Sequence, residues 1–434
     1  MNYSELKNQT ETHTRRSLFL LIAKLGIFSL VGWRLFNIQI LESKKYKTLS
    51  KKNQINIEIS YFFYINSFHI NFPVRNNPSK FFRQLLTVYL FCFGLLCSLA
   101  QDKNKTEHVI LISCDGLRPD AVEFLGEKWA PNFYRIIKEG AHTHNARTDF
   151  NYTVTLPNHT CMLTGRGALG EAGHAWIENS TPKLGQMLHR NKKAYIASAF
   201  DLAHDHGLKT ALFSSKGKFV LYDLSYNERS GRPDAQGEDN GKDKLDQYHY
   251  NAKTEELIKT FTESLAKTPY GFSMLHLRDP DSAGHANGWD IQPKSVYISA
   301  VSKMNWVIGK LFDFIDTNEQ MKGTTALIIT ADHGGRLETK THTKSDEKLN
   351  YTIPFYVWGP DVSPGNELYK INPSSRKDPA DKNPKYESEG LQPIRNGDAG
   401  NLAMSLLGLP AIDGSTINSK QDLKVKAAQK AEEN

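Results

Sequence analysis

From His108 onward the chain is punctuated by short apolar runs, HVILISC, KTALFSS, GFSMLHL, TALIIT and IPFYVWGP. Each is too short for a buried helix and is apolar on both faces, which is the pattern of a strand covered on both sides. Between them stand longer helical patterns. APNFYRIIKEG is amphipathic and is stopped by Gly140, and SVYISAVSKMNWVIGKLFDFID separates two of the runs. Strands alternating with helices predict an α/β fold, a three-layer sandwich built on a mostly parallel central sheet. Ligands of such sheets bind at the carboxyl ends of the strands. Asp115, Asp281, Asp332 and His333 all fall there, directly after apolar runs. The polar, Gly-containing stretch 223–250 reads as a surface insertion or small lid.

The formal charge of +7 would suggest an anionic polymer as partner if it were spread evenly, and it is not. The first 100 residues hold 13 basic against 4 acidic residues, which leaves 41 and 43 for the rest. The basicity belongs to the leader, and no basic stripe with interleaved aromatics marks the remainder, so nucleic-acid binding by the folded domain is not expected. Cys92 and Cys97 lie inside an apolar run, and Cys114 and Cys161 stand far apart. That spacing gives neither a disulfide framework nor a CxxC metal site, and the latter two read as small buried hydrophobes.

The leader itself has two parts. Residues 81–100 contain LLTVYLFCFGLLCSLA behind Lys80 and Arg83, with Ser98 and Ala100 at small-residue positions, the pattern of a secretory signal peptide cleaved before Gln101. This predicts an exported, periplasmic or extracellular protein. The stretch Arg15 to Glu58, with an apolar segment over 17–36, resembles the membrane anchor of class B penicillin-binding proteins. Residues 1–80 are read as an extraneous leader, and as a membrane anchor if genuine, which leaves 101–434 as the enzyme body.

Four motifs carry the chemistry. In C-D-G, Asp115 closes a strand and Gly116 permits a sharp exit. T-L-P-N-H-T, Thr155 to Thr160, places a hydroxyl before a Pro-containing turn and a helix start, which alone could be a cap. D-P-D-S-A-G-H sets Asp281 and His285 four apart, able to meet one cation or to form a surface pair. A-D-H-G-G gives Asp332 and His333, with His342 a few residues on. Three Asp and three His at one sheet edge need cations to neutralise the carboxylates. Zinc accepts imidazole and carboxylate together, and two metals about 4 Å apart clamp the attacking and leaving oxygens of an in-line displacement. Metal coordination also makes a threonine hydroxyl a usable nucleophile. His276 and His174 both read as structural or as supports for the site, while His142, His144, His204, His206 and His249 read as surface residues.

On these motifs the chain from Val109 to about Gly408 resembles the alkaline phosphatase superfamily, in particular its nucleotide pyrophosphatase/phosphodiesterase branch, whose T-F-P-N-H appears here as TLPNH. The resemblance implies that Thr155 is the nucleophile, that Asp115, Asp332 and His333 hold one Zn²⁺ bridging it, and that Asp281, His285 and His342 hold a second. It implies that Asn179 in GHAWIEN donates to a phosphate oxygen, and that the substrate is a small-molecule phosphate ester, a phosphodiester or nucleotide pyrophosphate. A threonine-nucleophile phosphatase group that the chain also resembles uses a Lys-x-Arg pair against the extra charge of a monoester, and Lys216 and Lys218 in SSKGK are its counterparts here, so a phosphomonoesterase stays open. Sulfatases need C/S-x-P-x-R, which is absent from the sequence. The reading from another class is a catalytically inactive, membrane-anchored binding protein.

Overall fold

The computed structural model of the protein describes residues 105–234 and 241–427. The expected membrane helix and signal peptide lie outside these residues. Among the described residues no helix is long and apolar enough to cross a membrane.

Eight strands form one sheet: β1 (His108–Cys114), β2 (Ala141–Arg147), β3 (Thr210–Ser214), β4 (Gln247–Tyr250), β5 (Phe272–Leu277), β6 (Thr325–Thr330), β7 (Thr352–Trp358) and β8 (Asn366–Glu367). Their order is β4-β3-β5-β1-β6-β7-β2-β8. From β4 through β6 every pairing is parallel, and β7 runs antiparallel to both β6 and β2. The apolar runs occupy the centre for the reason the sequence suggests: β3, β5 and β6 are buried at every position. Each fully buried Leu, Ile or Val there contributes on the order of 1.5–3 kcal/mol of apolar burial.

Helices cover both faces. α1 (Pro119–Trp129), α2 (Pro131–Glu139), α6 (Thr254–Lys267) and α8 (Val296–Thr317) pack on one side, and α3 (Thr155–Thr164), α4 (Ala199–Asp205) and α9 (Asp398–Leu406) on the other. The three-layer α/β sandwich expected from the alternation is the observed fold. Gly140 ends α2 as expected. α4 begins with a Ser198/Asp201 capping box, and the D-H-G run at Asp205 is its terminus, where Gly207 takes φ +77°.

Two elements depart from the expectation. β2 was not legible, because AHTHNAR has only Ala141 and Ala146 as apolar residues and takes its strand form from pairing with β7, across a register shift between Thr143 and Ala146. The expected insertion at 223–250 is narrower than its polarity implies. It begins inside α5 (Val220–Tyr226) and ends in β4, which pairs parallel with β3 at the sheet edge. An edge strand buries only part of its surface, so its sequence stays polar.

Candidate metal centre

Because β1, β3, β5 and β6 are parallel, the residues that follow them arrive at one edge. Asp115 follows β1. Gly116 then takes φ +74°, which turns the chain away and leaves the carboxylate at the strand end. The Asp115 amide donates to Leu277 O at 2.9 Å, and the Asp281 amide donates to Asp115 O at 3.0 Å, so the backbones of two acids are tied together. Asp281 lies in the first turn of α7 (Asp279–Asn287), where Pro280 fits the helix start, and His285 follows one turn later. Asp332 and His333 follow β6. His342 comes from the loop between β6 and β7 and is buried beside Thr153.

The three histidines share one device. Nδ1 of His285 donates to Lys340 O (2.7 Å), that of His333 to Gly334 O (2.8 Å) and that of His342 to Thr153 O (2.5 Å). A carbonyl can only accept, so in each neutral ring Nδ1 carries the proton and Nε2 presents a lone pair. These lone pairs converge. His285 Nε2 and His342 Nε2 lie 3.2 Å apart and stand 3.2 Å and 3.5 Å from Asp281 Oδ1. His333 Nε2 is 3.2 Å from Asp332 Oδ2, 3.4 Å from Asp115 Oδ1 and 3.8 Å from Asp281 Oδ1. With the acids ionised, acceptor faces acceptor throughout. Asp115 Oδ1, Asp281 Oδ1, Asp332 Oδ2 and His333 Nε2 are buried without a hydrogen-bond partner. Such groups cost about 1–3 kcal/mol each when left unpaired, and more when charged. The donor set of carboxylate oxygens and imidazole nitrogens suits divalent cations, and it fits them here.

Among the described residues, two groups of three donors lie close enough to hold an ion: Asp281, His285 and His342, and Asp115, Asp281 and His333. The first is the trio expected for the second metal. In the other, Asp281 stands with Asp115 and His333 where the resemblance implied Asp332. Asp332 is turned so that its Oδ1 accepts from the Gly116 and His333 amides, at 3.1 Å and 3.0 Å.

Lys216, just past β3, reaches into the carboxylates. Its Nζ is 2.5 Å from Asp115 Oδ2, 2.7 Å from Asp281 Oδ2 and 3.4 Å from Thr155 Oγ1. Thr155 is the first residue of α3, and every residue of that helix is buried. Asn158 holds the preceding turn, accepting from the Asp149 amide and donating to Tyr152 O and Val154 O. Asn179 Oδ1 accepts from the Leu156 amide (3.0 Å) and from Lys218 Nζ (2.9 Å). Thr155, Asn179, Lys216 and Lys218 therefore form one cluster on the metal-ligand side of the sheet edge.

The electrostatics follow from three buried acids facing one lysine. Burial would raise the Asp115 carboxyl, but the Lys216 ammonium and the His276 hydrogen bond hold it well below the usual range. Burial and the repulsion of Asp115 push Asp332 far above it. Burial, then the like charge of Lys216, brings Lys218 down to about 8. Burial and the neighbouring His333, stacked at 3.4 Å between ring centroids, bring His342 down to about 3, and burial lowers His333 as well.

Two further histidines support the acids. His276 Nε2 donates to Asp115 Oδ2 at 2.8 Å, with Ser214 and Ser215 hydroxyls 3.3 Å from its Nδ1. His159, within the TLPNHT motif, lies on the Thr155 carbonyl and the Ser113 hydroxyl, 3.7 Å from Asp332 Oδ2. The sequence signal for His159 is its place in the TLPNHT motif beside Thr155. His204 corrects an expectation, since it is buried beside Asp234 and is not a surface residue.

A model of the type I phosphodiesterase / nucleotide pyrophosphatase family matches residues 109–399, about two-thirds of the chain. No curated protein matches the sequence. Among solved structures, similarity extends to murine ectonucleotide pyrophosphatase / phosphodiesterase 5, an inactive variant in complex with AMP. That match has 16% identity over 73% of this chain and 99% of that one, at a TM-score of 0.48. An alkaline phosphatase superfamily protein from Vibrio parahaemolyticus matches at 15% identity over 72% and 69%, at a TM-score of 0.47.

Proposed function

This chain belongs to the type I phosphodiesterase / nucleotide pyrophosphatase family, a family of phosphoester hydrolases, and from that premise we propose that it cleaves small-molecule phosphodiesters or nucleotide pyrophosphates at Thr155 with two divalent cations, zinc being the expected metal. One observation carries the metal reading: the acceptor atoms of Asp115, Asp281, Asp332 and His333 are buried together with no partner, around a single lysine.

Asp281, His285 and His342 hold one cation, and Asp115 and His333, with Asp281 or Asp332, the other. When bound, the cations supply Lewis acidity, which favours the deprotonated hydroxyl and offsets charge on the oxygens entering and leaving phosphorus. The position of Thr155 at the start of α3 puts its Oγ1 at the sheet edge, 3.4 Å from Lys216 Nζ. Oγ1 forms the bond to phosphorus as the bond to the leaving oxygen breaks, and that oxygen takes the electron pair. Water then attacks the phospho-threonine and returns the hydroxyl. The Asn179 amide is held by its Oδ1, which leaves its NH₂ as the donor to a non-bridging oxygen. The NH₃⁺ of Lys216 lies beside the nucleophile, where the transferred group's charge accumulates.

A second reading, phosphomonoester hydrolysis, is favoured by one observation. Two ammonium groups, Lys216 on Thr155 and Lys218 on Asn179, flank the same spot, which suits a group with an additional negative charge. Rates on p-nitrophenyl phosphate and bis-p-nitrophenyl phosphate separate the two. Faster hydrolysis of the diester supports the first reading. A monoester preference that is lost in Lys216→Ala or Lys218→Ala replaces it with the second. Export follows from the 81–100 pattern, and peptide mapping of the natural protein, with a first residue at Gln101 and none from before Ser79, is the expected result.

A further inference from the structure

Behind the metal-binding edge lies Trp289, with no solvent exposure. Three glycines surround its indole, and each neighbours a donor named above: Gly116 follows Asp115, Gly284 precedes His285 and Gly335 stands two past His333. A Cβ added at Gly335 would fall 1.9 Å from Trp289 Cδ2, one at Gly284 2.4 Å from Cε2 and one at Gly116 2.8 Å from Cζ3. Real Cβ atoms are essentially never found so close, so all three backbones pass in direct contact with the ring. The edge of the indole also meets the imidazoles. Ring centroids are 6.2 Å from His285, 6.3 Å from His333 and 6.0 Å from His342, with interplanar angles of 66°, 77° and 84°.

The same plate is pinned from below. Arg118, almost fully buried, donates through one NH1 to the carbonyls of Trp289 (3.0 Å) and Gly335 (3.2 Å). Tyr297 donates from its hydroxyl to Gly116 O (2.8 Å), accepts from the Arg118 amide (3.0 Å) and packs edge-on against the indole at 5.4 Å. The loop after β1, helix α7 and the loop after β6 reach one another through this group.

We infer that Trp289 is the positioning residue of the metal centre: one rigid side chain, seated in three glycine gaps, sets the spacing of the segments that bear Asp115, Asp281, His285 and His333. The inference rests on the metal reading above. Ligand spacing matters because a cation demands its donors at fixed distances, and losing what orients them costs about 10- to 100-fold in affinity.

A merely structural role would show itself as instability alone, so the test separates the two. Trp289→Leu is compared with Phe133→Leu, an equally buried aromatic on α2 remote from the site, both measured as intact protein well below their melting temperatures. Zn²⁺ affinity is read by competition with a chromophoric chelator. The expected result is about a 10- to 100-fold loss for Trp289→Leu and none for Phe133→Leu. A second arm needs no comparison of stabilities. Gly335→Ala weakens metal binding by crowding the ring, and adding Trp289→Leu to it restores part of the loss. Unchanged affinity in Trp289→Leu, or an equal loss in Phe133→Leu, overturns the inference while leaving the metal reading intact. If the unaltered protein takes up no metal, both are overturned.

Discussion

Buried charge is handled in two ways in this molecule. Beneath the C-terminal segment, Arg376 spreads its guanidinium over Asp398 (2.7 Å and 3.2 Å), Asp422 (2.8 Å), Asn418 (3.1 Å) and the Ser375 carbonyl (2.8 Å). The other oxygen of Asp398 accepts from the Arg395 amide. Donors there meet acceptors. At the carboxyl edge of the sheet, three carboxylates and three imidazole lone pairs meet one ammonium, and four polar atoms stay unpaired. The Arg376–Asp398 pair is complete as protein, although the Asn418 amide nitrogen and the Arg395 Nε beside it have no partner. The second is complete only with something cationic added, which marks it as a site for a ligand.

The comparison can be broken most directly at the nucleophile. Thr155→Ala is expected to lower hydrolysis by at least about 10³-fold while leaving metal uptake unchanged, because Oγ1 supplies chemistry and not cohesion. Measured rates and metal content together check it, and retained activity refutes the assignment. Chelation is expected to abolish the activity of the unaltered enzyme and to lower its melting temperature, since cations bound only to the folded state stabilise it.

Next in size is a contrast of sign. In chelated protein, Asp398→Ala is expected to cost up to about 3–5 kcal/mol, because it removes the buried carboxylate on Arg376 and leaves only the more exposed Asp422 against that charge. Asp332→Asn keeps the acceptor for the Gly116 and His333 amides and removes an acid whose ionisation burial and Asp115 oppose, so the chelated variant is expected to melt at or above the parent temperature. Denaturant unfolding of both variants tests this. A large loss in Asp332→Asn without metal would show that the edge is balanced as protein and would undo the distinction.

The smallest effect concerns an unpaired atom away from the edge. His142 Nδ1 is buried without a partner on β2, and burial together with the neighbouring His144 brings its pKa down to about 4. A depressed value means the unfolded chain takes up the proton first. Stability is therefore fully present above the unfolded value near 6.5 and falls as pH drops toward 4. His142→Gln is expected to show a shallower fall in melting temperature across that window, and an unchanged slope would remove His142 from the account.

The central strands were legible because burial on both faces leaves no position free to be polar, and a run such as TALIIT is then unambiguous. Asp115, Asp332 and His333 were legible for the same reason, since polar residues that end such runs stand out. β2 and β4 were not: their sequences are polar, and their strand form comes from neighbours distant in the chain. Lys216 and Lys218 could be named as a pair from SSKGK, but their roles could not, because an exposed lysine and one wedged between two carboxylates look alike in sequence. The grouping of donors also needed three dimensions, since Asp281 stands within reach of both triads. Trp289 had no signal at all, because contact with three glycines from three segments exists only after folding.

What the sequence determined by itself was therefore the kind of fold and the kind of chemistry, because periodic burial and the residue types at strand ends are local properties. The tertiary structure decided which donors meet, which acceptors go without partners and what holds them apart. Those depend on distances between segments more than 200 residues apart, such as the 216 between Gly116 and Asp332, and only packing sets them.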